Sequence, residues 1–299
     1  GFFGEPGIEY LQPETRVVGF LRDGEPIAIP HNIFWWHEIV NFDTDDGAIA
    51  VTHCPLTGST LAFDREPIAD AELDVSGLLY QNNLMMVDLS GDDESFWPQM
   101  ARGARCGPAD GTTLPMVPVW EMSWGAWRDL HPTTRVVSAF TGHLRAYDEY
   151  PYDDYDREDN TYTLFPTPGI DDRRPPKELA IGVPDGSGGV VFPFGELDRV
   201  GSSAAVTGST RDGDFVVFWN RSARGAMAYR PVAAGQSLTF RAAAGKVFDE
   251  QTDSEWGLDG VAVSGAFAGE ALEPVADAFV AFWFAWPIFY PDLDLWSAP

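Results

Sequence analysis

At 299 residues, with 44% hydrophobic and 13% aromatic side chains, the chain is long enough for about two domains and a sizeable core. It has no apolar run of 18 or more residues, so no membrane-spanning helix is expected; the most apolar stretch, Phe279 to Tyr290, is too short and carries Pro287. A net charge of −27 argues against nucleic acid and anionic membranes as partners, because too few cations are present to neutralise phosphates.

The elements follow in chain order. Arg16 to Pro30 reads as a strand, a tight turn and a second strand ending at Pro30. A hairpin follows, with Ile39-Val40 on one arm and Ile49 to Thr52 on the other, and Thr60 to Phe63 continues the sheet. After a glycine-rich stretch, Trp120, Trp124, Trp127 and Leu130 recur at the spacing of a helix laid on a core, ending before Pro132. Residues 142–176 are rich in Asp, Tyr and Pro and read as an ordered wrap or linker. Leu179 to Pro193, Phe215 to Trp219 and Met227 to Tyr229 then repeat the strand pattern, and Phe279, Phe282 and Trp286 suggest a second helix.

The two runs match each other collinearly. Gly19 and Pro30 match Gly182 and Pro193 at an offset of 163. Gly47 and Val51 match Gly213 and Val217 at 166. Ser95 and Trp97 match Ser254 and Trp256 at 159, as Ala126-Trp127 match Ala285-Trp286. The expected fold is α+β and β-rich. It comprises two tandem pseudo-equivalent modules, 1–141 and 177–299, joined by the acidic connector 142–176, each a small, mostly antiparallel sheet with one packed helix.

The cation balance suggests a habitat. Two lysines, Lys177 and Lys246, stand against seventeen arginines, and acids cluster at Asp43-Thr44-Asp45-Asp46, at Asp92-Asp93-Glu94 and along Asp148 to Asp159. Such self-repulsion is costly at low salt. It largely vanishes at molar salt, where the screening length falls to about 3 Å. An acidic surface adapted to a halophile, from a salt-loving archaeon, is the expectation. The chain begins at Gly1 without an evident signal peptide, which is compatible with a removed leader or lipobox.

Chemistry-bearing residues concentrate in Trp35 to Ser59: His37, Glu38, His53 and Cys54. Cys, His and carboxylate are the ligand set of zinc or copper, and also the set of an activated thiol. If Phe42 lies opposite Ala48 in the hairpin, His37 faces His53 and Trp36 faces Cys54. A slip of one residue sets His37 opposite Cys54 and Glu38 opposite His53. Both registers stay open at this stage, as does a disulfide between Cys54 and Cys106, the only two cysteines. The comparison of halves adds a hint: His53 matches Trp219 and Cys54 matches Asn220, so the polar set is confined to the first module. The Asp88 to Glu94 stretch offers oxygen ligands without the EF-hand spacing.

The segments Trp36 to Asn41 (W-H-E-I-V-N), Thr52 to Gly58 (T-H-C-P-L-T-G), Ser76 to Tyr80 and Phe282 to Asp292 resemble the domain of unknown function 3179 family over nearly the whole chain. That family's pattern has a second cysteine where this chain has Thr57, a tyrosine at His53 and an acid at Phe42. The resemblance implies no reaction and no dithiol here, but it does imply an extracytoplasmic placement, with which membrane anchoring by a removed N-terminal leader is compatible. Three functions are then in view. The first is an extracytoplasmic metal-binding or redox protein holding a copper or zinc ion with His37, His53, Cys54 and Glu38, walled by Trp35 and Trp36. The second is a non-catalytic module that binds a small molecule or protein in the cleft between the repeats. The third is a hydrolase or transferase with Cys54 as nucleophile.

Overall fold

The computed structural model describes residues 7–91, 93–167 and 170–299; Asp92, an acid of the Asp88 to Glu94 stretch, lies outside the described residues. The first half runs β1 (Arg16–Arg22), β2 (Glu25–Pro30), α1 (His31–His37), β3 (Ile39–Thr44), β4 (Gly47–Cys54), β5 (Ser59–Asp64), β6 (Leu73–Tyr80), β7 (Asn83–Asp88), β8 (Phe96–Pro98), β9 (Met116–Val117), β10 (Trp120–Ser123), α2 (Trp124–Leu130) and β11 (Arg135–Val136). The second runs β12 (Leu179–Asp185), β13 (Gly188–Pro193), α3 (Phe194–Val200), β14 (Ser203–Thr210), β15 (Gly213–Asn220), β16 (Gly225–Tyr229), β17 (Val232–Ala233), β18 (Gln236–Ser237), β19 (Phe240–Ala243), β20 (Lys246–Asp249), β21 (Glu255–Trp256), β22 (Phe279–Phe282), α4 (Trp286–Phe289) and β23 (Asp292–Leu295). The protein is β-rich, and its sheets are mostly antiparallel.

Local chemistry explains the hairpins. Asp23-Gly24 and Gln81-Asn82 take positive φ at both positions (52° and 72°; 55° and 62°) and close two-residue turns, the geometry that suits the right-handed twist of the flanking strands. Strand β4 is buried along Ala48 to Cys54. Its near-continuous apolar run fits a strand covered on both faces better than strict alternation would.

The helices differ from the sequence expectation. Trp120 lies in strand β10, and only Trp124 to Leu130 are helical, capped by the Ser123 hydroxyl. Phe279 and Phe282 likewise lie in strand β22, with a short 3₁₀ turn before α4, which takes Pro287 into its first turn. Apolar spacing of this kind suits a helix, but here it is spread over a fully buried strand and the short helix after it, where both faces need apolar side chains. Helices α1 and α3, directly after Pro30 and Pro193, were not anticipated.

Sheet pairing interlocks the halves. One sheet has the order β10-β1-β2-β11. The largest runs β23-β13-β12-β22-β5-β4-β3, so second-half strands continue into first-half strands where Val280 of β22 faces Thr60 of β5. At that join the Phe282 amide donates to the Thr57 carbonyl at 2.8 Å; elsewhere the Ser123 amide donates to the Ala223 carbonyl, also at 2.8 Å. Strands β2 and β11 are parallel, as are β13 and β23. Gly19 lies under the Trp127 ring and Gly182 under the Trp286 ring; a Cβ on either glycine would come within 2.4 Å and 2.3 Å of those rings. Trp97 donates to Asp88 at 2.8 Å, and Trp256 donates to Asp249 at 3.0 Å.

The cores cross the sequence boundary between 1–141 and 177–299. One packs Leu61, Phe63, Leu84 and Trp97 with Ala180, Phe279 and Trp286. Another packs Val17, Trp120 and Trp127 with Phe218, Tyr229 and Trp256. The connector is tied down by Tyr147, whose carbonyl accepts from Asn32 at 2.6 Å, and by Tyr155, whose hydroxyl donates to the Leu56 carbonyl at 2.8 Å. Lys177 caps the Tyr155 ring 3.5 Å from its centre.

Candidate functional site

The β3–β4 hairpin takes the second of the two registers: Ile39 faces Thr52, Phe42 faces Ile49, and the His53 amide donates to the Glu38 carbonyl at 2.7 Å. Pairing stops there, because Glu38 has φ 56° and His37 ends helix α1. The side chains of His37, His53 and Cys54 therefore enter different surroundings, while Glu38 stays beside His53 through the backbone. His37 turns to the connector, where its Nε2 lies 2.7 Å from the Tyr147 hydroxyl and its ring 5.5 Å from that of His143. Cys54 is buried in the core, its Sγ 3.8 Å from the Asn82 carbonyl. Burial, and then the charge of Glu38, push its thiol pKa up, the opposite of what an activated thiolate needs. Burial also pushes the Glu38 carboxyl up to about 7. Cys106 is exposed, and both cysteines are free. Among the described residues no group of three or more His, Cys, Asp or Glu side chains is arranged to hold a metal ion.

His53 has a different partner. It leaves β4 on the side of α1, and its ring lies 4.3 Å from that of His31, centre to centre. Its Nδ1 meets the Thr60 hydroxyl, its cross-strand neighbour, at 2.9 Å. The His31 Nε2 is 3.4 Å from the Glu121 carboxylate on β10. Arg16, on the adjoining strand, donates to the same carboxylate oxygen through Nε at 2.9 Å, and it reaches across to the Arg224 carbonyl at 2.8 Å. Thr60, His53, His31, Glu121 and Arg16 thus form one continuous polar file. All but Arg16 are buried. Burial lowers the pKa of both histidines well below the ordinary range, assisted in His31 by Arg16 and in His53 by His31, so both rings are neutral at neutral pH.

His53, His31, Glu121 and Arg16 of this file line a cleft of about 890 Å³ between the halves, within the size range of small-molecule sites. Its lining includes residues that stand at the offsets of the sequence matches: Arg16, His31 and Asn32 with Leu179, Phe194 and Gly195, and His53 with Trp219. Where the first half has the His31–His53 pair, the second has Phe194 and Trp219, with ring centres 4.7 Å apart. Four polar atoms of the lining, His31 Nε2, Asn32 Oδ1, Glu121 Oε2 and Trp219 Nε1, are buried without a hydrogen-bond partner among the described residues. Six further buried side-chain atoms lack such a partner elsewhere among the described residues, the Trp127 and Trp286 ring nitrogens included.

Sequence reasoning located the hairpin but missed His31, Glu121 and Arg16. The comparison of halves held the signal: His31 stands against Phe194, and Glu121 against Val280 at the 159 offset, the same contrast in polarity that singled out His53.

The family model described as "Protein of unknown function (DUF3179)" matches residues 5–293. The chain belongs to this family. No curated protein and no solved structure matches it. Among the described residues no helix is long and apolar enough to cross a membrane.

Proposed function

We propose that this member of the family binds a small organic ligand in the cleft between its halves, and that the halves are copies of one unit of which the first kept the polar site. The carrying observation is the buried His53–His31–Glu121 file beside unpartnered polar atoms, at positions where the other half has an aromatic pair. The recurring order of strands and helices, and the two glycine–tryptophan packings, support descent from one unit. A thiol- or metal-centred chemistry has less behind it, because Cys54, His53 and His37 point into three different surroundings.

The test uses the other half as a template. The double variant His31→Phe with His53→Trp copies the Phe194–Trp219 pair and should fold. A small-molecule library is screened by thermal shift against both proteins. Compounds that stabilise the natural chain should leave the double variant unmoved. Equal stabilisation of both would refute the reading.

A further inference from the structure

We propose that a second, much smaller chamber beside the cleft is a site for one internal water, shared by the Glu121 carboxylate and the Thr60 hydroxyl. The site does not depend on any ligand in the cleft, and loss of the cleft reading would leave it standing.

The chamber lies where the halves join. Thr60 of β5 and Glu121 of β10 line it from the first half, and Ala226 of β16 and Val280 of β22 from the second. Every residue of its lining is buried. The space open to the centre of a water-sized sphere is about 10 Å³. A single water requires about that much, and a larger guest has no room.

Size alone would also suit a dry apolar void, so polarity decides. Glu121 Oε1 accepts from Arg16 Nε at 2.9 Å and lies 3.4 Å from His31 Nε2. Arg16 and His31 line the cleft and not the chamber. Oε2, the other oxygen of the same carboxylate, is buried without a hydrogen-bond partner among the described residues. Ten buried side-chain atoms share that condition, and Glu121 Oε2 is the one whose residue lines the chamber. Most of the ten are neutral groups; a carboxylate oxygen is the costliest to leave without a donor.

Thr60 supplies the second contact. Its Oγ1 stands 2.9 Å from His53 Nδ1. A hydroxyl both donates and accepts, so the histidine leaves it capacity for a further partner. Water answers both groups: it donates to Glu121 Oε2, and it donates to or accepts from Thr60 Oγ1 according to the His53 tautomer. A divalent cation would need about six oxygen ligands. Only Glu121 and Thr60 bring side-chain oxygens to this lining.

The comparison of halves marks the same place. Glu121 and Val280 stand at the 159 offset, and Thr60 and Ala226 at 166; both members of each pair line the chamber. One side is polar where the other is apolar, so the second half offers the Glu121 oxygen no donor there. A water bridge joins the Glu121 end of the polar file to its Thr60 end. It holds the carboxylate under His31 and the hydroxyl against His53.

The experiment uses the full chain in molar potassium chloride. A crystal structure at a resolution that shows ordered water should place one water within hydrogen-bond reach of Glu121 Oε2 and Thr60 Oγ1. Magnetic relaxation dispersion of the solvent deuterons and oxygen counts long-lived internal waters in solution. Ala226→Ser brings a hydroxyl into the chamber and should lower that count by one while keeping the urea midpoint. Thr60→Val keeps the shape, removes one water contact and should lower the count likewise. A chamber without water in the crystal, an ion in its place, or an unchanged count in the variants that fold would overturn the proposal.

Discussion

Glu38→Gln should stabilise the protein in a strongly pH-dependent way. Glu38 joins α1 to β3 with its carboxyl largely buried, and no side-chain hydrogen bond to it is present among the described residues. Burial raises its pKa from 4.5 to about 7. The folded state therefore binds this proton more tightly than the unfolded state does. Stability falls as pH rises between about 4.5 and about 7, and above that the loss is complete. A tenfold difference in proton affinity is worth about 1.4 kcal/mol, which gives roughly 3 kcal/mol as an upper bound and about 2 kcal/mol once partial solvent access is allowed for. Glutamine keeps the shape and cannot ionise. Urea unfolding of both proteins at molar salt should give nearly equal stabilities at pH 4 and a gap of about 2 kcal/mol in favour of Glu38→Gln at pH 8. A gap that stays constant with pH, or that closes as pH rises, would refute the assignment of a buried, ionising carboxyl at this position.

Other outcomes follow from the same contacts. Gly19→Ala and Gly182→Ala should each lower stability by about 1–3 kcal/mol, because the added methyl overlaps the Trp127 or Trp286 ring; unchanged melting temperatures would show that those rings move freely. Asp88→Asn and Asp249→Asn weaken the hydrogen bonds from Trp97 and Trp256 and should each cost about 1–2 kcal/mol by urea unfolding. Iodoacetamide at pH 8 should modify exposed Cys106 in the folded chain and reach Cys54 only in denaturant, read by peptide mass spectrometry. Rapid labelling of Cys54 in the native state would return thiol chemistry to the foreground.

Much of the architecture was legible because it is written in short-range chemistry. Pro30 and Pro193 marked strand ends, Asp23-Gly24 marked a turn, and the alternation at Ile39-Val40 marked a strand. The helices were misjudged where Trp120 and Phe279 lie in buried strands, since full burial erases the difference between the two periods. The site was half legible. Hairpin counting brought Glu38 and His53 together as one of two registers, and the backbone does pair them. It could not place His53 against His31, because that contact depends on the unanticipated helix α1 folding back over β4. Glu121, nearly seventy residues further on, reaches the site only through the pairing of β10 with β1. Such long-range pairings are set by the whole core and leave no local mark.

The central claim is that a ligand enters the cleft beside the His31–His53 pair. The chain has five histidines, and they fall in separate surroundings: His31 and His53 on the cleft, His37 against His143 of the connector, and His131 beside Asp259. Histidine-selective ring labelling therefore makes the protein its own map. On titration with any compound that stabilises the fold, the account predicts that the His31 and His53 ring signals shift together and saturate while the other three stay in place. Saturable shifts confined to His37, His131 or His143 would contradict it.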